Sequence, residues 1–145
     1  MKDVILIPAK GEEMVSKYTE DEYFNNGFNK LLGMKLVEAK NGSATIRMEV
    51  KPEHFNPANI VHGGVLFALA DSAAANAAVS YGNQVVTINS DIKYLRVVTS
   101  KTKTLTAIAK EMKHGRNICF YEVTIQNEEK EDVAYVSLSY LNLER

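Results

Sequence analysis

The sequence predicts an α+β domain in which one long central helix is wrapped by a strongly curved antiparallel sheet, with an extra N-terminal helix. Three observations carry this. The run Val65 to Val79 is rich in alanine and apolar on nearly every face, the pattern of a helix buried all round. Between Val85 and Leu143 stand four strand-like runs rich in β-branched and aromatic residues, joined by turns of a few residues that suit antiparallel neighbours. Asn41-Gly42 separates two further such runs, a strong hairpin signal. Strands segregated from a single central helix make an α+β domain.

The elements follow in order. Thr19 to Leu32 sets Glu20, Asp21 and Glu22 ahead of Tyr23, Phe24, Phe28, Leu31 and Leu32. Thr19 or Asp21 can cap a helix there, with acids favourably placed in its first turn, and Gly27 bends or splits it. Leu36–Ala39 and Ser43–Val50 are the hairpin arms. In the second arm Ala44, Ile46, Met48 and Val50 alternate with Thr45, Arg47 and Glu49, so one face is buried and the other wet. The central helix comes next, and its alanines at 70, 73, 74, 75, 77 and 78 make it thin enough for a sheet to wrap closely. Val85–Leu95, Thr102–Met112, Ile118–Gln126 and Val133–Leu143 then read as a meander of long strands.

The 145 residues suit one domain, 1–145, with residues 1–18 as an N-terminal extension. Apolar residues make up 46% and charged residues 24%, the balance of a globular protein. The formal net charge of −1, from 17 basic and 18 acidic residues, argues against a nucleic-acid partner. The apolar run Val4–Ile7 stops at Pro8, far short of a signal-peptide core. The central helix carries Asp71, Ser72 and Asn76 and falls short of the about 20 apolar residues that span a bilayer, so no membrane association is expected. One cysteine, Cys119, excludes an internal disulfide and fits a reducing cytoplasm. It lies in an apolar run and reads as a core residue.

The chemistry concentrates where His54-Phe55-Asn56-Pro57-Ala58-Asn59-Ile60-Val61-His62-Gly63-Gly64 leads into the helix. Adjacent glycines are poor helix formers and need a reason. One reason is a tight turn. The other is close approach of a ligand to free backbone N–H groups at the positive helix end, where they can stabilise an oxyanion. Asp71 is the second oddity, because a carboxylate inside an alanine-rich helix is costly unless paired, hydrogen-bonded or wet. It reads as a general base or nucleophile lining a cleft, in preference to a structural acid. Asp71 lies nine residues after His62, about 13.5 Å along the axis and near the opposite face if His62 is helical. One carbonyl cannot touch both ends within a chain. A site using both joins two copies, which predicts a two-fold dimer with composite sites.

Asn56, His62-Gly63-Gly64, Phe67, Leu69-Ala70-Asp71 and Ala73 resemble the helix-start motif of hotdog-fold acyl-CoA thioesterases, most closely the phenylacetic-acid-pathway (PaaI-like) branch. The resemblance runs from about residue 30 to the end of the chain. Asp91-Ile92-Lys93-Tyr94-Leu95-Arg96 resembles the next strand of that family, which usually has a proline after the arginine where this chain has Val97-Val98. The resemblance implies hydrolysis of acyl-CoA thioesters, with coenzyme A as part of the substrate and no separate cofactor. The Gly63 N–H would polarise the thioester carbonyl, and Asn56 and His62 would orient the thioester or water. Asp71 of the partner subunit would be the base or nucleophile, with Thr87 as the hydroxyl that helps hold the water. Gly64, Arg96 and the basic turn Lys113-His114-Gly115-Arg116 would contact the coenzyme. A homotetramer built as a dimer of dimers is implied in the same way.

His54, His62, His114 and Cys119 show no HExxH, CxxC or short His-x-His pairing, so no metal is expected. No GxSxG elbow or phosphate-binding glycine loop is present. Two rival functions stand beside hydrolysis. His54-Phe55 faintly resembles the His-Phe of hotdog hydroxyacyl-thioester dehydratases, which lack the HGG start and space their acid more closely. A non-catalytic acyl-CoA sensor is the other, although a mere binder needs no buried base.

Overall fold

The computed structural model describes residues 27–82 and 84–143. The expected extension 1–18 lies outside them, as do the first residues of the expected Thr19–Leu32 helix with Tyr23 and Phe24. What remains of that helix is α1, Gly27–Leu32, which begins at Gly27 with φ +56°.

Strands β1, Met34–Lys40, and β2, Ser43–Glu49, form the expected hairpin. Asn41 and Gly42 take φ 50° and 79°, the left-handed pair that a two-residue turn of matching twist requires. Gly42 is also held against Tyr81 and Glu111, where a Cβ has no room. A 3-10 turn at Pro52–His54 precedes the central helix α2, Gly63–Val79. Then come β3 Val85–Tyr94, β4 Thr104–His114, β5 Ile118–Asn127 and β6 Asp132–Asn142. All pair antiparallel in one sheet of order β1-β2-β4-β5-β6-β3.

That order corrects the expected meander. Of the four strands after the helix, only β4, β5 and β6 follow one another as neighbours. β4 pairs with β2 in continuous register, Ser43↔Lys110 to Glu49↔Thr104, and β3 takes the far edge beside β6. The segment from Leu95 to Lys103 is not a tight turn. It crosses past the start of α2, where Val61 N–H donates to the Val98 carbonyl (2.8 Å). Val97, where the family's proline would stand, is exposed, and it is the next residue, Val98, 2% exposed, that braces the approach to the helix.

The core lies between α2 and the concave face of the sheet. Ile46, Met48, Leu105, Ile125 and Leu69 are fully buried there, and each such side chain contributes roughly 1.5–3 kcal/mol on leaving water. Alanines 44, 107 and 109 on the sheet and 70, 73, 74 and 77 on the helix are also fully or almost fully buried, which lets the two layers approach closely.

The helix is not buried all round within one chain. Phe67, Ala68, Asp71, Ser72, Ala75 and Val79 are only half-buried, and their three- and four-residue spacing makes them one stripe. A single sheet covers the other faces and leaves this one open, with α1 touching it where Ser72 Oγ donates to Asn29 Oδ1 (3.2 Å). Beside it runs β3, whose outer backbone edge has no strand partner among the described residues. Val86 and Ile88 on that strand are exposed. Among the described residues no helix is long and apolar enough to cross a membrane.

Candidate active site

The loop before α2 is wound around Asn56. Its Oδ1 accepts the N–H groups of Ala58 (2.9 Å) and Ile60 (3.3 Å), and its own N–H donates to the Ile60 carbonyl (2.9 Å). With the amide oxygen taken twice, the NH2 end is left to donate into the cleft that Asn56 lines.

His62 caps the helix, with Nδ1 accepting from Gly64 N–H at 2.8 Å. A neutral His62 therefore carries its proton on Nε2. It is a cap with φ −58° and ψ 134° rather than a helical residue, so the axial reach to Asp71 begins at Gly63 and spans about 12 Å. The cap also divides the two glycines. Gly64 N–H is occupied, whereas Gly63 N–H meets no acceptor among the described residues. No acid stands in the first turn, so the positive helix end is not neutralised. An open N–H there can donate to a carbonyl oxygen as negative charge develops on it.

A cleft of about 460 Å³ opens over this amide, lined by Asn56, His62, Gly63, Gly64, Tyr94 and Arg96 among others. The Tyr94 hydroxyl donates to the Gly63 carbonyl (3.0 Å). A Cβ at position 63 would stand 2.8 Å from that hydroxyl, so any larger residue there displaces the Tyr94 ring that closes over the helix start.

Asp71 is two turns further along, on the half-open stripe. Thr87 Oγ1 donates to its Oδ1 at 2.9 Å, and the Tyr140 hydroxyl donates to the same oxygen at 2.8 Å. These bonds supply what a carboxylate on this helix needs. Burial, then the negative charge of Asp71, pushes the Tyr140 hydroxyl above the ordinary tyrosine range.

The predicted residues thus fall into three places. Asn56, His62, Gly63, Gly64 and Arg96 share the cleft. Asp71 and Thr87 bond to each other outside that lining. Lys113, His114 and Arg116 sit at the β4–β5 turn, at the opposite end of the sheet. Arg96 N–H bonds the Val133 carbonyl, while the Arg116 carbonyl accepts from Asn142. Nine residues of β6 separate those anchors, about 30 Å of strand. Arg96 also lies 3.6 Å from Glu131, and His114 lies 3.6 Å from Glu111 with its ring 5.1 Å from that of Tyr81.

Two site tyrosines, Tyr94 and Tyr140, escaped the sequence reading. The signal for Tyr140 was present, because it shares the inward parity of Val136 and Leu138, and a buried tyrosine hydroxyl usually finds a partner. His54 and Cys119 serve the fold. His54 is 1% exposed, accepts from Lys51 N–H (3.0 Å) and contacts the Leu32 carbonyl (2.8 Å), so both ring nitrogens are engaged. Cys119 is buried with its Sγ on Asn142 Oδ1 (2.9 Å), and burial pushes its thiol up. Among the described residues no three His, Cys, Asp or Glu side chains gather to hold a metal.

A family model of the thioesterase superfamily matches residues 58–134, from the loop around Asn56 into β6. The chain belongs to that superfamily. Acyl-coenzyme A thioesterase PaaI of Escherichia coli K12 is 34% identical over 112 residues, 77% of this chain and 79% of that protein. The solved structure of Escherichia coli PaaI superposes with a TM-score of 0.80 at 31% identity, covering 85% of this chain and 88% of that one. The smu.793 protein of Streptococcus mutans UA159, solved bound to acetyl CoA, superposes with a TM-score of 0.74 at 26% identity over 78% of this chain and 90% of its own. This thioesterase has the hotdog fold and stands in the PaaI-like branch.

Proposed function

We propose that this thioesterase hydrolyses acyl-CoA thioesters to a free acid and coenzyme A at sites shared by two protomers. The observation that carries the proposal is the separation of the two halves of the chemistry. An open Gly63 N–H with Asn56 and His62 beside it lies at the helix start, and a hydrogen-bonded Asp71 lies about 12 Å along the same helix. Two copies related by a two-fold, joined along the exposed β3 edge and the open helix stripe, bring Gly63 of one to the partner's Asp71.

In that site the Gly63 N–H holds the thioester oxygen as it gains charge, and the Asn56 amide and His62 Nε2–H orient thioester or water. Asp71 of the partner subunit activates water as general base or attacks the carbonyl itself, with Thr87 beside it. Water adds across the C–S bond, and the thiol leaves with a proton. A single turnover in oxygen-18 water tests direct attack: unlabelled acid with label kept in Asp71 marks an anhydride opened at the Asp71 carbonyl, whereas labelled acid is the product both of water activation and of an anhydride opened at its acyl carbonyl.

The coenzyme phosphates are assigned to Arg96 and to Lys113, His114 and Arg116, with Gly64 beside the thioester. Because these basic groups stand at opposite ends of a protomer, antiparallel helices in the dimer bring the turn of one to the cleft of the other. The chain is read as one domain, 1–145, with residues 1–18 as an extension, acting in the cytoplasm as a dimer of dimers.

Engagement of both His54 nitrogens argues against the dehydratase, whose chemistry needs that ring. The deciding experiment measures thiol release from a panel of acyl-CoA thioesters by wild type and Asp71→Asn. Release by wild type, reduced by about 10²–10⁴-fold in the variant, supports the proposal. No release from folded protein that binds acyl-CoA overturns it in favour of a sensor.

A further inference from the structure

We propose that Tyr140 is a positioning residue of the reaction: together with Thr87 it pins Oδ1 of Asp71 and thereby presents Oδ2 to the substrate. This rests on the assignment of Asp71 as the reacting carboxylate.

Tyr140 is 1% exposed on the concave face of β6, its ring packed edge-on against Tyr121 with centroids 5.9 Å apart. Its oxygen lies 2.8 Å from Asp71 Oδ1 and 3.0 Å from the Asp71 carbonyl oxygen. A phenol has one proton, and the shorter bond to the charged acceptor takes it. Thr87 is the direct cross-strand partner of Tyr140 and donates to the same Oδ1 at 2.9 Å. Among the described residues no donor reaches Oδ2, and no salt bridge includes Asp71.

An aspartate on an open helix face turns readily about its terminal torsion, which is broad and roughly two-fold. Two donors fixed on one sheet and converging on one oxygen remove that freedom. The lone pairs of the other oxygen then hold one direction, toward the open stripe where the reaction partner arrives. Tyr140 touches Asp71 and not the substrate, so its effect is on orientation and on the basicity of the carboxylate. Burial keeps its hydroxyl protonated, and it remains a donor throughout the working range of a carboxylate.

The test is Tyr140→Phe, which keeps the ring and its packing on Tyr121, alongside Asp71→Asn and Thr87→Val. Tyr140→Phe is expected to lower kcat about 10–100-fold with KM nearly unchanged. The acid limb of the kcat/KM profile moves to higher pH, because the ionised carboxylate has lost a donor. A merely structural tyrosine would lower the melting temperature without moving that limb. Wild-type kcat and an unmoved limb in Tyr140→Phe, with Asp71→Asn inactive, overturn the positioning role and leave Asp71 in place. Wild-type rates in Asp71→Asn sink the carboxylate assignment and this inference with it. Should Tyr140→Phe fail to fold, Thr87→Val on the exposed strand probes the same clamp: an upward-shifted limb supports it and an unmoved one overturns it.

Discussion

Thr87 and Tyr94 stand seven residues apart on β3, an odd step that puts two side chains on opposite faces of a regular strand, yet both hydroxyls reach α2. The bulge between Thr87 and Asn89 restores the parity. One strand thereby supplies a donor to Asp71 and another to the carbonyl of Gly63, and ties both stretches of the helix to a common edge.

If sites are shared across a two-fold, two dead variants restore each other. Asp71→Asn and Asn56→Ala are each expected to be nearly inactive alone. Co-expressed, half of the random dimers are mixed, and each mixed dimer has one intact site of two, giving about one quarter of wild-type thiol release. No recovery from a verified mixed dimer places the whole site in one chain.

Gly63→Ala drives a methyl group against the Tyr94 hydroxyl. With the Gly63 N–H in the proposed role of holding the thioester oxygen, its displacement is expected to lower kcat about 10²–10³-fold. Adding Tyr94→Phe removes the closest atom and should recover part of the loss. A Gly63→Ala enzyme of wild-type rate would show that this amide does not serve the transition state.

His54→Ala strands Lys51 N–H and the Leu32 carbonyl in a buried site. Unfolding in urea should show a loss of about 2–3 kcal/mol, while kcat of the folded fraction stays at the wild-type value. Loss of kcat at unchanged stability would instead return His54 to the chemistry.

Alkaline conditions should destabilise the fold in two stages. Burial raises the Cys119 thiol and the Tyr140 hydroxyl above their unfolded values, so their stabilisation is fully present below those values. It is lost as pH rises, first above about 8.5 for the thiol and then above about 10 for the phenol, because the unfolded groups ionise first. The urea midpoint should hold near neutrality and decline by pH 10, with a later onset in Cys119→Ala. A midpoint flat through pH 11 contradicts this.

Much of the fold was legible because its signals are local. Asn41-Gly42 announced its turn, and Val65–Val79 announced a buried helix. The position of β3 was not legible, because its pairing with β6 joins Val85 to Asn142 and Tyr94 to Ala134, and no short-range pattern encodes such partners. The open stripe on α2 escaped for a related reason. Phe67, Ala68 and Ala75 look as buried as their neighbours in the sequence, and only the one-sided sheet distinguishes them. Asn56, His62, Gly63 and Asp71 stood out because glycines at a helix start and an acid among alanines are locally unfavourable. Tyr140 looked like one more strand aromatic until its hydroxyl was seen on Asp71.

The far-edge placement of β3 also sets an order of events during synthesis. Thr87 and Asp71 are made early, but β3 has no pairing partner other than β6 among the described strands, and Tyr140 is itself part of β6. A growing chain that has emerged only through β5 holds the helix and the β2–β4–β5 ladder with its carboxylate still unclamped and the β3 edge unanchored. Long-range closures of this kind come late in folding. The clamp on Asp71 and the anchored β3 edge therefore form together, when β6 joins the sheet.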